Sequence, residues 1–224
     1  MPEQHTIKQN DFVQLEFTAK LKETNAVFDT SNEAIAKSEG IYNPSMPYGE
    51  YIICIGHKQI LPKIEEELLG KEVGKEYVFN LAAENAFGKK NAKLFKLVPT
   101  KIFTRDNVQP VPGLQVNIDE TIGTITTVTG GRTIVDFNHP LAGKDVVYNV
   151  KVSRLIDNTA EKVKAFLRMK YDLKNTSVGI EAGKAIVKVE KEYADALTDE
   201  IKHEIEKELN AVVSEVKTID FAQK

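Results

Sequence analysis

From Phe12 to Leu21 the chain alternates as a half-buried strand does. Val13, Leu15 and Phe17 fall on one face, and Gln14, Glu16 and Thr18 on the other. Asn25-Ala26 marks a turn, and Val27-Phe28-Asp29-Thr30-Ser31 follows. Residues 32–50 are polar and carry Gly40, Pro44, Pro47 and Gly49, the composition of a loop behind a short helix around Glu33–Lys37. Tyr51 to Ile55 forms a second apolar strand, with Tyr51, Ile53 and Ile55 sharing a face. After Gly56 the period changes. Ile60, Leu61, Ile64, Leu68 and Leu69 recur as one helical face, with Glu65, Glu66 and Glu67 expected on the opposite, solvent side. This helix runs into a turn bracketed by Gly70 and Gly74, and a strand over Glu76–Ala82 places Tyr77 and Phe79 alike.

The next comparable strand, Val146–Val152, comes only after about sixty residues, where a plain loop rarely exceeds ~15. Within that stretch Pro110, Pro112 and Gly113 punctuate the centre. Thr121–Val128 and Thr133–Phe137 pattern as a hairpin across Thr129-Gly130-Gly131-Arg132, so the stretch is a β-rich insert. Beyond Ile156, Asn158-Thr159-Ala160-Glu161 has the form of a capping box before a helix lined by Val163, Phe166 and Leu167. Ala185–Val189 is a strand. Thr198 caps a second helix with Ile201, Ile205, Leu209 and Val212 on one face, and Ser214–Phe221 closes as a strand. Two helices alternating with two strands make a small α/β unit of about 65–70 residues, close to the limit for an independent core. Such a unit either docks on the rest of the chain or pairs with a second copy, which would make a homodimer through this domain.

Composition narrows the function. The 224 residues leave room for two or three compact units, and a net charge of −3 does not favour nucleic acid as a partner. No apolar run reaches membrane-spanning length and no charged-then-apolar leader opens the chain, so a cytoplasmic protein without a membrane partner is expected. The single cysteine, Cys54, rules out an internal disulfide and fits a small buried hydrophobe in its apolar strand. His5, His57, His139 and His203 lack metal-ligand spacing, and no glycine-rich phosphate loop is present, so neither metal nor cofactor is expected.

The order Gly56, Ile60-Leu61, Ile64-Glu65, Leu68, Gly70, Gly74 resembles the signature of FKBP-type peptidyl-prolyl isomerases. Phe28-Asp29-Thr30-Ser31 resembles the family's Phe-Asp followed by two hydroxyl residues, and Ala86-Phe87-Gly88 its Ala-aromatic-Gly. Asn138-His139-Pro140-Leu141-Ala142-Gly143, at the exit of the insert, is similar to SlyD-type members, which carry a chaperone domain inserted in the flap. The added C-terminal segment resembles the long, archaeal-type members. The resemblance implies an α+β fold: an FKBP half-barrel of antiparallel sheet wrapped on a short helix, with an inserted β-rich domain and a small C-terminal α/β domain. The implied boundaries are 1–88 with 138–156 for the isomerase domain, 89–137 for the insert and 157–224 for the C-terminal domain.

The resemblance implies a catalytic set of Asp29, Phe28, Phe87 and Tyr148, with Asp29 at the rim beside the substrate carbonyl. Phe17, Tyr51, Ile53, Ile60, Leu61, Ile64 and Leu141 would contact substrate, and main-chain donors near Ile60 and Leu61 would position it. Taken alone, Asp29 before Thr-Ser is also an ordinary turn former or helix cap, Phe87 a core aromatic, and His139 a turn residue before Pro140. Three departures from the family pattern imply a shallower site that binds macrolide inhibitors more weakly. Ile64 stands where many members have tryptophan, Phe17 where tyrosine is common, and Phe87 lacks a phenol hydroxyl. The chain ends Phe221-Ala222-Gln223-Lys224, so the metal-binding tail of SlyD is not carried over. The implied partners are unfolded or proline-containing polypeptides. Two functions are compatible with this: an isomerase that is also a folding chaperone, or a catalytically weak holdase or scaffold on the same fold.

Overall fold

The computed structural model describes residues 5–224. The first elements are β1 (Phe12–Leu21), β2 (Val27–Thr30), α1 (Glu33–Ser38), β3 (Tyr51–Cys54), α2 (Pro62–Leu68) and β4 (Glu76–Leu81). Next come β5 (Phe95–Pro99), α3 (Thr100–Arg105), β6 (Gln115–Ile118), β7 (Thr121–Thr129), β8 (Arg132–Asp136) and β9 (Val146–Leu155). The chain closes with α4 (Thr159–Tyr171), β10 (Ser177–Glu181), β11 (Lys184–Val189), α5 (Lys191–Ala196), α6 (Asp199–Val212) and β12 (Thr218–Gln223). The fold is α+β, and the chain forms two compact units: residues 1–80 with 147–224, and residues 81–146.

In the first unit the main sheet has the order β2-β1-β9-β4. β1 is long enough to serve two antiparallel partners, pairing residues 12–15 with β3 and residues 18–20 with β2. A register shift between Ala19 and Lys20 bends it there. Val13, Leu15, Ile53, Ile55, Ile64 and Leu68 are all buried, but Leu69, expected on the same helical face, is 42% exposed because α2 ends at Leu68 and Leu69 sits at its C-cap.

The C-terminal segment docks on this sheet. Phe12 and Cys54 share one core with Ile156, Val163, Phe166, Leu167, Val187, Ile205 and Leu209. Asn158 caps α4 through the Glu161 N–H at 3.0 Å, while the Glu161 carboxylate turns to Arg154 at 3.1 Å rather than back to the cap. The expectation of two strands and two helices needs correction. β10 pairs β11 as an antiparallel hairpin, β12 runs parallel to β11, and α5 is a third helix. Gly179 and the single exposed turn Ala182-Gly183 blur the alternation of β10, and α5 has no buried residue to give it a period.

The second unit is a four-stranded antiparallel sheet of order β5-β8-β7-β6 over Val98, Phe103, Ile125 and Val135. Gly130 and Gly131 both take positive φ (54° and 74°), which the tight β7–β8 hairpin requires. A Cβ at Gly123 would lie 2.6 Å from the Val135 side chain, so only glycine lets the strands close there. Thr100 to Arg105 forms a short helix right after β5; Pro99 ends β5 on the sheet edge, where its missing N–H costs nothing. No helix among the described residues is long and apolar enough to cross a membrane.

Candidate functional site

The first unit brings four aromatic rings together, and the charge of Asp29 acts on two of them, Tyr51 and Tyr148. Phe17 comes from β1, Phe28 and Asp29 from β2, Tyr51 from β3 and Tyr148 from β9. Ring centroids lie 5.9 Å apart for Phe17–Tyr51, 6.1 Å for Phe17–Tyr148 and 6.0 Å, edge to face, for Phe28–Tyr148. Phe17, Phe28 and Tyr51 stay half-exposed, as a wall facing a ligand must, while Tyr148 is buried beneath them.

The hydroxyl pair after Asp29 explains how this wall is fixed. The Phe17 N–H donates to Ser31 Oγ at 2.9 Å, and Thr30 Oγ1 donates to the Phe17 carbonyl at 3.0 Å. Both hydroxyl residues are buried, so β2 is stapled to the Phe17 backbone and two rings are set by one motif. Sequence reasoning missed this role, although the two hydroxyls were the signal. Asp29 is not a helix cap: Asn32 Oδ1 caps α1, accepting from Ala34 and Ile35 at 2.9 and 3.1 Å.

Burial raises the pKa of Asp29 above the ordinary 3.8, partly offset by a backbone hydrogen bond from Thr30. Burial and the charge of Asp29 together push Tyr148 well above the usual phenol range. A carboxyl that holds its proton more tightly when folded stabilises the fold below pH 3.8, and that stability is lost as pH rises through the folded pKa. Asp29→Asn keeps the acceptor and removes the buried charge. It should therefore raise Tm relative to wild type at neutral pH, and the two melting curves should converge in acid. Thermal unfolding across pH checks this.

The turn before α2 holds the main correction. Glu65 does not lie on the solvent side with Glu66 and Glu67; it is 3% exposed. Its Oε2 accepts from the Gly56 and Lys58 N–H groups at 2.8 and 3.1 Å, and its Oε1 from Gln59 and Ile60 at 2.7 and 3.2 Å. Helical periodicity placed Glu65 outside because it counts faces, not the turn that folds back over the helix N-terminus. Gly56 (φ 92°) and Lys58 (φ 56°) take the left-handed conformations that aim these N–H groups at one carboxylate. The Ile60 N–H is thus already used and cannot hold a substrate. No described residue accepts from the Leu61 N–H. Ile60 and Leu61 are half-buried beside it, whereas Ile53 and Ile64 are each 1% exposed and lie beneath the surface.

Cys54 is buried, and burial pushes its thiol up to about 12, followed by the fields of Glu65 and Asp11, so it is no nucleophile at neutral pH. Among the described residues no group of three or more His, Cys, Asp or Glu could hold a metal ion.

Three residues of interest belong to the second unit. Phe87 and His139 stack face to face, 5.0 Å apart with a 2° tilt. His139 Nδ1 accepts from the Leu141 N–H at 3.2 Å. His139 is therefore more than a turn residue: it supports the Phe87 ring, a contact that residues 52 positions apart gave no sign of in the sequence.

A family model described as FKBP-type peptidyl-prolyl cis-trans isomerase matches residues 3–104, and one described as FKBP26, IF domain, matches residues 96–141. The chain is 30% identical over 146 residues to the short-type peptidyl-prolyl cis-trans isomerase of Methanocaldococcus jannaschii, which spans 65% of this chain and 92% of that protein. It is 31% identical over 112 residues to the FKBP-type isomerase SlyD of Vibrio cholerae (48% of this chain, 55% of that one). It is 27% identical over 152 residues to the FKBP-type 16 kDa isomerase of Escherichia coli K12 (66% and 92%). With nearly the whole archaeal protein matched at that identity, this chain belongs to the FKBP-type peptidyl-prolyl cis-trans isomerase family.

Proposed function

We propose that the chain accelerates cis/trans rotation of X-Pro bonds in unfolded polypeptides, and that its insert holds those polypeptides while it does so. In this reading residues 1–88 with 138–156 are the isomerase, residues 89–137 the holding arm, and residues 157–224 a domain docked beside the isomerase. The observation that carries the reading is the cradle of Phe17, Phe28, Tyr51 and Tyr148, with the charge of Asp29 acting on Tyr51 and Tyr148.

The chemistry needs no nucleophile and no proton transfer. Resonance keeps the peptide bond planar behind a barrier of about 18–20 kcal/mol. Twisting breaks that resonance, so the nitrogen pyramidalises and the carbonyl oxygen loses partial negative charge. An apolar cradle withholds the water that solvates the planar, polar form. It lowers the barrier only insofar as it favours the twisted form over the planar one. Asp29 adds to that difference: a carboxylate beside the carbonyl oxygen is repelled less once twisting drains the oxygen of charge. The Leu61 N–H supplies a donor that fixes the neighbouring carbonyl. Phe87 and Leu141 are assigned to the mouth and wall of the site on the family motif alone.

Exposed apolar side chains support the holding role. Leu94, Phe95, Leu97, Ile102, Val108, Val111 and Ile122 are all exposed, and all lie in the second unit. The competing reading, a catalytically weak holdase, draws on the burial of Ile53 and Ile64, which leaves a substrate little floor to touch. The two part on variants. If rotation matters, Asp29→Ala and Phe87→Ala each slow prolyl exchange by about tenfold, a loss of about 1.4 kcal/mol of transition-state stabilisation, and leave aggregation suppression intact. If both variants are silent in exchange, the holdase reading stands instead.

A further inference from the structure

A cavity of about 570 Å3 lies between the loop 45–52 and α4, within the range of about 300–1,000 Å3 typical of ligand clefts. Pro47, Tyr48, Tyr51 and Ile52 form its apolar side, and Lys164 and Arg168 stand on the helix side. Tyr51 belongs to two places at once. Its ring meets Phe17 in the aromatic cradle, and it also lines this cavity. Burial, followed by the charge of Asp29, raises its hydroxyl above the usual phenol range, and Arg168 opposes that shift. The Tyr51 hydroxyl donates to the Pro47 carbonyl, and Tyr48 stacks on Tyr42 at 5.4 Å with its hydroxyl accepting from the Asn43 N–H at 2.9 Å. The loop wall is thus a braced surface.

The charges divide unevenly. Arg154 is paired with Glu161 at 3.1 Å and Lys174 with Asp172 at 3.2 Å. Lys164 and Arg168, one helical turn apart, meet no carboxylate within 4 Å among the described residues, and of the acids lining the cavity only Glu50 is likewise unpaired. An apolar wall opposite two uncommitted cations suits an extended peptide that carries carboxylates.

We propose that this cavity is a second subsite for the substrate polypeptide, in which the chain leaving the proline cradle across Tyr51 lies against α4 and is selected for Asp or Glu by Lys164 and Arg168. The proposal rests on the isomerase reading for the identity of the cradle. It assigns the docked C-terminal domain a part in choosing substrates: α4 supplies the cations, β3 and its preceding loop the apolar wall.

Labelled peptides of equal length test it, each with one Ala-Pro core and either a Glu pair or a Gln pair on the N-terminal or the C-terminal side. Binding is read by fluorescence anisotropy on the full chain. Two exposed ion pairs predict about fivefold tighter binding of the Glu peptide on one side at low salt. That advantage should shrink with added salt and vanish in Lys164→Gln/Arg168→Gln. Both residues are exposed, so the variant should melt as wild type does. Equal binding of Glu and Gln peptides on both sides overturns the proposal, as does a preference that survives the double variant. Prolyl exchange of the Gln peptides separates the two claims. Acceleration without acid selectivity removes the subsite and keeps the isomerase; acid-selective binding without acceleration keeps the subsite and removes the isomerase.

Discussion

Glu65→Ala should lower the unfolding free energy by about 3–5 kcal/mol and reduce prolyl exchange more than about tenfold. The alanine deletes one carboxylate but leaves four backbone donors, of Gly56, Lys58, Gln59 and Ile60, with nothing to accept them. Bonds to a charged acceptor are each worth about 1.5–3 kcal/mol, and partial exposure of the turn lets water recover some of that. The functional loss follows from position. The same turn ends at Ile60 and Leu61, so loosening it displaces the Leu61 N–H and the two side chains proposed to meet substrate. Glu65→Gln should fall between, because one side of its amide presents N–H groups to N–H groups. Urea unfolding gives the stability, and hydrogen exchange at the four amides gives the cause. Unchanged protection of those amides together with a stability change under about 0.5 kcal/mol would contradict the role assigned to Glu65.

Replacing residues 89–137 with a short linker should leave exchange in a small X-Pro peptide within about threefold of wild type, while lowering acceleration of a proline-limited refolding reaction about tenfold or more. The base of the insert shows why the cut is feasible. The Asn138 side chain brackets the Asn91 backbone, its Oδ1 accepting from the Asn91 N–H at 2.7 Å and its Nδ2 donating to the Asn91 carbonyl at 3.1 Å. Lys90 reaches Asp136 at 2.8 Å. The chain therefore enters and leaves the insert at one place, and a few residues can bridge it. What is removed is the part of the molecule with the exposed Leu97, Ile102, Val111 and Ile122. A small peptide diffuses to the cradle unaided. A folding chain gains from being held, because holding raises its local concentration during an isomerisation that takes tens of seconds unassisted. Equal refolding activity with and without the insert would remove the holding role.

The parts of this protein legible in its sequence were those where one period governed the residues. β1 and the β7–β8 hairpin follow alternation, and α4 and α6 follow a helical stripe with Asn158 and Thr198 as caps. The family motifs reached further, naming Phe28, Asp29 and the Ile60–Ile64 turn before any contact was known. What escaped was set by partners distant in sequence. Glu65 looked like one of three surface acids until the turn brought four N–H groups over it. The stapling role of Thr30 and Ser31 depends on the Phe17 backbone that β1 brings to them. The Phe87–His139 stack depends on the whole insert returning to its starting point. β10 and α5 were missed for a plainer reason: glycine and exposure leave them little apolar periodicity.

The most direct test is prolyl cis/trans exchange in a short X-Pro peptide, followed by NMR with wild type, with Asp29→Ala and without protein. The cradle account predicts acceleration by the wild type and a loss of about tenfold in the variant. No acceleration by folded wild-type protein, or equal acceleration by both proteins, would contradict it.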